Sequence, residues 1–271
     1  ISILEGRVLF IPRVRYEIRS DRFDGTSKTS SSFEPQAGIL AWVLPDLLYA
    51  KASAGECRRA PSFAELFGDK GTVRGNRNLR DERSRTADAA VGISRSGLDG
   101  ALTSFGIEYA FFSTKMKNLI IFIQNSQYTM VADNISAASV TGHEFTARAA
   151  FFDHAEFTAN ATVQSAKDES DIAYYRGNYL PHRPLFEGNA NVRLFTAWGS
   201  LAYEFSCAGA NFRDRANSDA LYVRKRVYHS VTAAWMPRWD LTVTAAVKTA
   251  ADSRTEDVAG YPLPGRSFTC G

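Results

Sequence analysis

The stretch Arg59-Ala60-Pro61-Ser62-Phe63-Ala64-Glu65-Leu66-Phe67-Gly68, resuming at Gly75-Asn76-Arg77-Asn78-Leu79-Arg80-Asp81-Glu82, decides how this chain is read. It is rich in turn-forming and apolar residues and lies between two segments that alternate apolar with polar side chains. It therefore reads as a strongly patterned loop joining two amphipathic strands. The loop is also basic, carrying Arg58, Arg59, Lys70, Arg74, Arg77 and Arg80. A basic loop can draw in an anionic ligand by electrostatic steering, or simply stand solvated beside an anionic surface.

Outward from the loop, period-2 patterning dominates. Phe157, Ala159, Ala161 and Val163 alternate with Thr158, Asn160, Thr162 and Gln164. Phe186, Ala190, Val192 and Leu194 alternate with Glu187, Asn189, Asn191 and Arg193. The same holds for Leu201, Tyr203, Phe205 and Cys207, for Leu241, Val243, Ala245 and Val247, and for Phe105, Ile107, Tyr109 and Phe111. Each such strand has one apolar and one polar face. The charges on the polar faces, Glu108, Glu144, Arg148, Glu187, Arg193, Glu204, Arg224 and Arg226, are expected to line a watery lumen.

Short connections at Leu44-Pro45-Asp46, Ser96–Gly100, Asp153-His154, Trp198–Ser200 and Pro237-Arg238 alternate with longer polar ones. The longer ones fall near residues 20–32, 58–83, 114–134, 167–183, 213–220 and 250–262. A soluble sandwich has no reason to sort its loops by length. A transmembrane antiparallel β-barrel does, with short turns on one rim and long loops on the other. The spacing gives about 12 strands. Trp42, Tyr49, Trp198, Trp235 and Trp239 fall beside short turns, where an interfacial aromatic girdle is expected.

Composition narrows the function. The 271 residues, 45% hydrophobic, suffice for one large all-β domain, and a net charge of +3 gives no reason to expect nucleic acid as a partner. No run approaches about 18 apolar residues, so strands are the expected means of crossing a membrane. Ile1-Ser2-Ile3-Leu4-Glu5 carries neither a starting Met nor the features of a signal peptide, so the chain reads as a processed or incomplete segment. Cys57, Cys207 and Cys270 are too few and too scattered for a disulfide framework or a metal site. The four histidines have no ligand spacing, and His143 and Glu144, being adjacent, face opposite ways in a strand. With no phosphate-cradling glycine loop and no catalytic constellation, neither a cofactor, a metal nor an enzymatic activity is expected.

The loop at residues 59–82 closely resembles the one in the C-terminal half of TonB-dependent outer-membrane receptors. The resemblance continues in order along the chain. It includes Arg15-Tyr16-Glu17 with Ser20–Phe23, Phe33–Gly38, Asn118-Leu119-Ile120, Asn134 with Ala138 and Gly142-His143-Glu144, Leu180–Pro184 and Gly260–Phe268. It implies that residues 1–271 form the C-terminal portion of a plugged barrel of about 22 strands. The plug domain and N-terminal strands would then come from elsewhere in the same or another chain, because open sheet edges are prohibitive in lipid.

The resemblance further implies the outer membrane of a Gram-negative bacterium, contact with its lipid and lipopolysaccharide, and a TonB-type energy-coupling protein. The implied activity is import of a scarce ligand such as a ferric siderophore or cobalamin. Arg59, Ala60, Pro61, Glu65, Leu66, Gly75, Asn76, Leu79 and Glu82 would be the structural motif, and Arg58, Arg59, Lys70, Arg74 and Arg77 the candidate ligand contacts.

Two departures stand out. The family's Asn-Pro-x-Leu-x-Pro-Glu reads Asn76-Arg77-Asn78-Leu79-Arg80-Asp81-Glu82 here, so two φ-fixing prolines are lost. Haem-importing members carry a histidine in this loop, and none lies between Ala60 and Leu79. The resemblance leaves open a second reading, a receptor-derived structural or split-barrel subunit without transport.

Overall fold

A computed structural model describes the chain except for Glu5, Asp24, Gly25, Lys70, Thr72, residues 125–128, Trp239, residues 253–255, Ala259 and Gly260. The sequence expectations for Lys70, Trp239 and Gly260 therefore lie outside the described residues.

Twelve strands run antiparallel in sequence order. They are β1 (Val8–Phe23), β2 (Thr26–Leu44), β3 (Leu48–Arg59), β4 (Glu82–Ser96), β5 (Leu102–Gln124), β6 (Met130–Phe151), β7 (Ala155–Asp168), β8 (Phe186–Thr196), β9 (Gly199–Ala208), β10 (Arg226–Arg238), β11 (Leu241–Lys248) and β12 (Ser267–Cys270). Among the described residues the sheet has fourteen strands, because the two-residue pieces Ser2–Ile3 and Val73–Arg74 pair with β1 and β6. The pairing order is linear, so β1 and β12 do not close on each other.

The short connections turn tightly by placing Asp46, Phe152, Asp153, Gly97 and Gly100 at positive φ. Asp and Gly reach that region at low cost, and the bulkier Phe152 is held there by its turn.

Register places the two faces. One row of directly paired residues runs Phe10, Ile39, Ala52, Ala89, Phe111, His143, Val163 and Phe186. A second runs Phe157, Val192, Tyr203, Val231, Val247 and Phe268. These rows share the apolar face. The opposite face carries rows such as Glu108, Thr146, Asn160, Asn189 and Ser206.

Among the described residues no hydrophobic core lies between the faces. Ile11, Ile107, Phe145 and Leu194 are exposed. The buried apolar clusters instead sit where loops fold onto the strands. One joins Leu66, Leu79, Ile120 and Ala132, and another joins Ala138, Ala166 and Leu180.

Several expectations are corrected. Residues 20–32 and 114–134 were expected as long loops, yet the strands continue through most of both, pairing as far as Phe23 with Thr26 and Gln124 with Met130. Thr26, Thr29 and the Ile-rich run at 119–123 favour extended pairing, so the ladder outlasts the apolar pattern.

Trp42 and Tyr49 do not join an apolar girdle. Unbroken alternation from Ile39 puts Trp42 and its partner Tyr49 on the polar face, packed edge-on with centroids 5.3 Å apart, and a register shift after that pair returns Leu44 to the apolar face. Trp235 pairs with Val243 on the apolar face, and Trp198 is exposed in its turn. Arg224 lies outside the ladder, between Val223 and β10, so it does not project from a strand's polar face.

Candidate functional site

The β3–β4 loop begins with one helical turn, α1 (Phe63–Phe67). Ser62 is its N-cap. The Ser62 hydroxyl accepts from the Glu65 N–H at 3.3 Å, and the Glu65 carboxylate accepts from the Ser62 N–H at 2.6 Å. This reciprocal capping box sets where the turn starts, and Pro61, just ahead of it, is buried. Gly68 ends the turn at φ +79°, a region that excludes most side chains.

Arg59, the last residue of β3, holds the loop's two ends together. It donates to both Glu65 oxygens at 2.9 and 3.1 Å and to both Glu82 oxygens at 2.6 and 2.7 Å. Glu82 also accepts the Ile120 N–H at 2.7 Å, which ties the assembly to β5. Burial pushes the Glu65 carboxyl up, but hydrogen bonds from Arg59 and from the Ser62 N–H outweigh it and hold the group below its ordinary value. The exposed Asp69 carboxylate is also held low, by the N–H groups of Gly71 and Val73.

The second half of the loop is fastened by asparagines. Asn76 donates from its side chain to Ala132 O at 3.1 Å, and its backbone N–H donates to Glu65 O at 2.8 Å. Asn134 accepts the Arg80 N–H at 2.8 Å and donates to Arg80 O and Asn118 O. Leu66 and Leu79 pack against Ile120 and Ala132 beneath. These bonds fix the segment in which the family's prolines are absent. Gly75 lies against the α1 backbone, where a Cβ would come within 2.4 Å of Leu66 and Phe67. Gly75→Ala is expected to lift the loop at a cost of roughly 1–3 kcal/mol, seen as faster hydrogen exchange at Asn76 and Leu79.

The candidate ligand contacts separate into two groups. Arg58 pairs with Asp81 at 2.6 Å and also donates to Ser31 O, and Arg59 is held by its two carboxylates. Arg74, Arg77 and Arg80 are exposed, with Arg77 lying 5.6 Å over the Phe67 ring.

On the polar face, Tyr49 donates to Glu108 at 2.8 Å and Lys51 pairs with the same carboxylate at 2.8 Å. The Tyr49 ring lies across Gly92, where a Cβ would come within 2.4 Å of it. Register puts Glu144, Arg148, Glu187, Arg193, Glu204 and Arg226 on this same face. Among the described residues no group of His, Cys, Asp and Glu is placed to hold a metal.

One feature had no signal in the sequence. Asp168, at the end of β7, is 1% exposed and pairs with Arg215 in the β9–β10 connection at 2.7 Å. Arg215 stacks 4.3 Å from the Tyr175 ring, and Asn217 exchanges hydrogen bonds with the Tyr179 backbone. A pair 47 residues apart in sequence thus staples two loops together.

Acid should loosen the first of these assemblies. A carboxyl with a lowered folded-state pKa contributes stability above its unfolded pKa and loses it as pH falls through the folded value. Protease cleavage within residues 60–81 is therefore expected to rise as pH drops below the ordinary Glu range, and Glu65→Gln should weaken that dependence, leaving the part due to Asp69.

A family profile described as "TonB dependent receptor-like, beta-barrel" matches residues 1–248. Among solved structures, the chain is similar to the siderophore receptor PiuA from Acinetobacter baumannii (TM-score 0.77, 15% identity, covering 97% of this chain and 40% of that chain). It is similar also to the copper transporter OprC (TM-score 0.74, 16% identity, 97% and 44%). A third is the FrpB iron transporter from Neisseria meningitidis, F3-3 variant (TM-score 0.70, 15% identity, 98% and 42%). At such identities the likeness is one of fold, and the chain spans less than half the length of these structures. No curated protein sequence matches it.

Proposed function

This chain belongs to the TonB-dependent receptor β-barrel family, and from that premise we propose that it forms the C-terminal part of an outer-membrane import barrel in a Gram-negative bacterium. Its apolar face meets lipid and lipopolysaccharide, and its polar face meets a plug domain. Strands from the same or another chain complete the wall, and a TonB-type protein supplies the energy. The cargo is a scarce ligand such as a ferric siderophore or cobalamin. The observation that carries this reading is the reversal of polarity, with Phe111, Val192 and Tyr203 outward and Glu108, Arg193 and Glu204 inward on the same strands.

Within this reading the β3–β4 loop shapes the extracellular mouth. Its motif residues are committed to the capping box, the Arg59 clamp and the asparagine bonds. Any direct ligand contact falls to Arg74, Arg77 and Arg80. Growth on candidate ferric chelates as sole iron source, in a strain lacking other receptors, tests transport. Arg74→Ala with Arg77→Ala is expected to weaken uptake several-fold if these side chains meet an anionic chelate, with the loss shrinking at higher salt. Normal assembly with no uptake of any chelate would favour the structural, non-transporting reading.

A further inference from the structure

We infer that the inner wall of β2–β6, at its short-turn end, holds a binding site for a planar, carboxylate-bearing solute, with Arg148 taking the carboxylate and Trp42 and Tyr49 flanking the ring. This rests on the barrel reading and places a cargo station where the lumen meets the short-turn rim.

The site is built from two neighbouring rows of inward residues. One runs Trp42, Tyr49, Gly92, Glu108 and Thr146. The next, nearer the rim, runs Ser94, Gly106 and Arg148. The central positions of both rows are glycines, and both are buried because long side chains from the flanking strands lie over them. Tyr49 crosses Gly92 from β3. Arg148 crosses Gly106 from β6, where a Cβ would come within 2.7 Å of its Nε. The two side chains thus lean toward each other along the wall. Between them lies a depression of about 590 Å³, to which Leu40 and Trp42 add apolar surface.

Charge there is uneven. The Glu108 carboxylate accepts from Tyr49 and pairs with Lys51, so it is already engaged. Asp46 and Arg95 line an adjoining depression at the rim. Glu156, diagonal to Arg148 on β7, stands directly opposite Arg193. Three cations, Lys51, Arg95 and Arg148, therefore share the two depressions with two anions, Glu108 and Asp46. Arg148 is exposed and has no hydrogen bond or ion pair among the described residues. A guanidinium takes both oxygens of a carboxylate in one plane. Beside it, the Trp42 and Tyr49 rings offer edges and faces to a flat body. A neutral solute would leave the Arg148 charge unmet.

The test uses the complete receptor in detergent, with para-fluorobenzoate as probe, fluorine NMR as readout and para-fluorobenzamide as the neutral counterpart. Wild-type protein should bind the benzoate in clear preference to the benzamide. Arg148→Gln is expected to weaken benzoate binding by about tenfold or more, the scale of one charged hydrogen-bonded contact, and Arg148→Lys should recover part of it. Gly106→Ala keeps every charge but displaces the guanidinium, and should weaken binding severalfold. The heat-dependent gel shift of a folded barrel should be kept in all three.

Equal binding of the two probes, or benzoate binding unchanged in Arg148→Gln, overturns the proposal and leaves the barrel reading standing. So does a wild-type receptor that ignores benzoate, the result expected where a plug carboxylate already occupies Arg148. Should Arg148→Gln fail to assemble, Gly106→Ala and the comparison of probes decide. A native protein absent from the outer membrane overturns both.

Discussion

Asp168→Ala is expected to cost about 3–5 kcal/mol and to release two loops at once. The carboxylate is buried and accepts from Arg215 through Nε at 2.9 Å and Nη2 at 2.7 Å, and its second oxygen accepts the Ser170 N–H at 2.8 Å. Removing one partner of such a pair strands the other charge, and that is where the large cost arises. The Arg215 side chain is only 10% exposed, so water cannot readily take over. Loss of Arg215 from its place also removes its stacking on Tyr175 and frees Asn178, which donates to Arg215 O at 2.8 Å. Protease cleavage and hydrogen exchange should rise together in residues 169–185 and 209–225, with the barrel's heat-dependent gel shift unchanged. Asp168→Ala combined with Arg215→Met should recover part of the loss. If only one loop loosens, the pair does not act as a staple.

Val231→Arg carries the second large effect. Val231 pairs with Tyr203 and Val247 in the middle of the apolar row. It lies seven residues from Arg238, at the short-turn end of β10. At about 3.4 Å per residue and a tilt near 45° this places it roughly 17 Å above that rim, within an apolar band about 25 Å tall. Arginine there is expected to cost about 2–4 kcal/mol in a bilayer, read as a lower urea midpoint for the protein folded into vesicles. Asn191→Arg, on the polar face opposite Glu204, should cost little. Equal penalties at both positions would contradict the assignment of faces.

Asn191 was legible as a strand residue because alternation is a local signal. Phe157 through Val163 and Leu241 through Val247 announce their faces within a few residues. The register shift at Val43 was not legible. Trp42 and Leu44 are two apart and would share a face in a regular strand, yet the irregularity places them on opposite faces. The strand extensions beyond the belt were hidden for a related reason, since in water neither face need be apolar and the period-2 pattern fades while hydrogen bonding continues. The loop motif was visible as residue types, because capping boxes and turn glycines have short-range signatures. The Asp168–Arg215 pair has none, as it depends on two loops meeting in space.

The hairpins β1–β2 and β5–β6 rise on either side of the β3–β4 loop, and the loop is bonded to both. Arg58 reaches Ser31 on one side, while Asn76, Arg80 and Glu82 reach Ala132, Asn134 and Ile120 on the other. Such ribbons behave as cantilevers, stiff along the strand and compliant in bending. A load on either ribbon would pass through these bonds to the intervening segment, so the three would deform as one body instead of the loop swinging as a free flap.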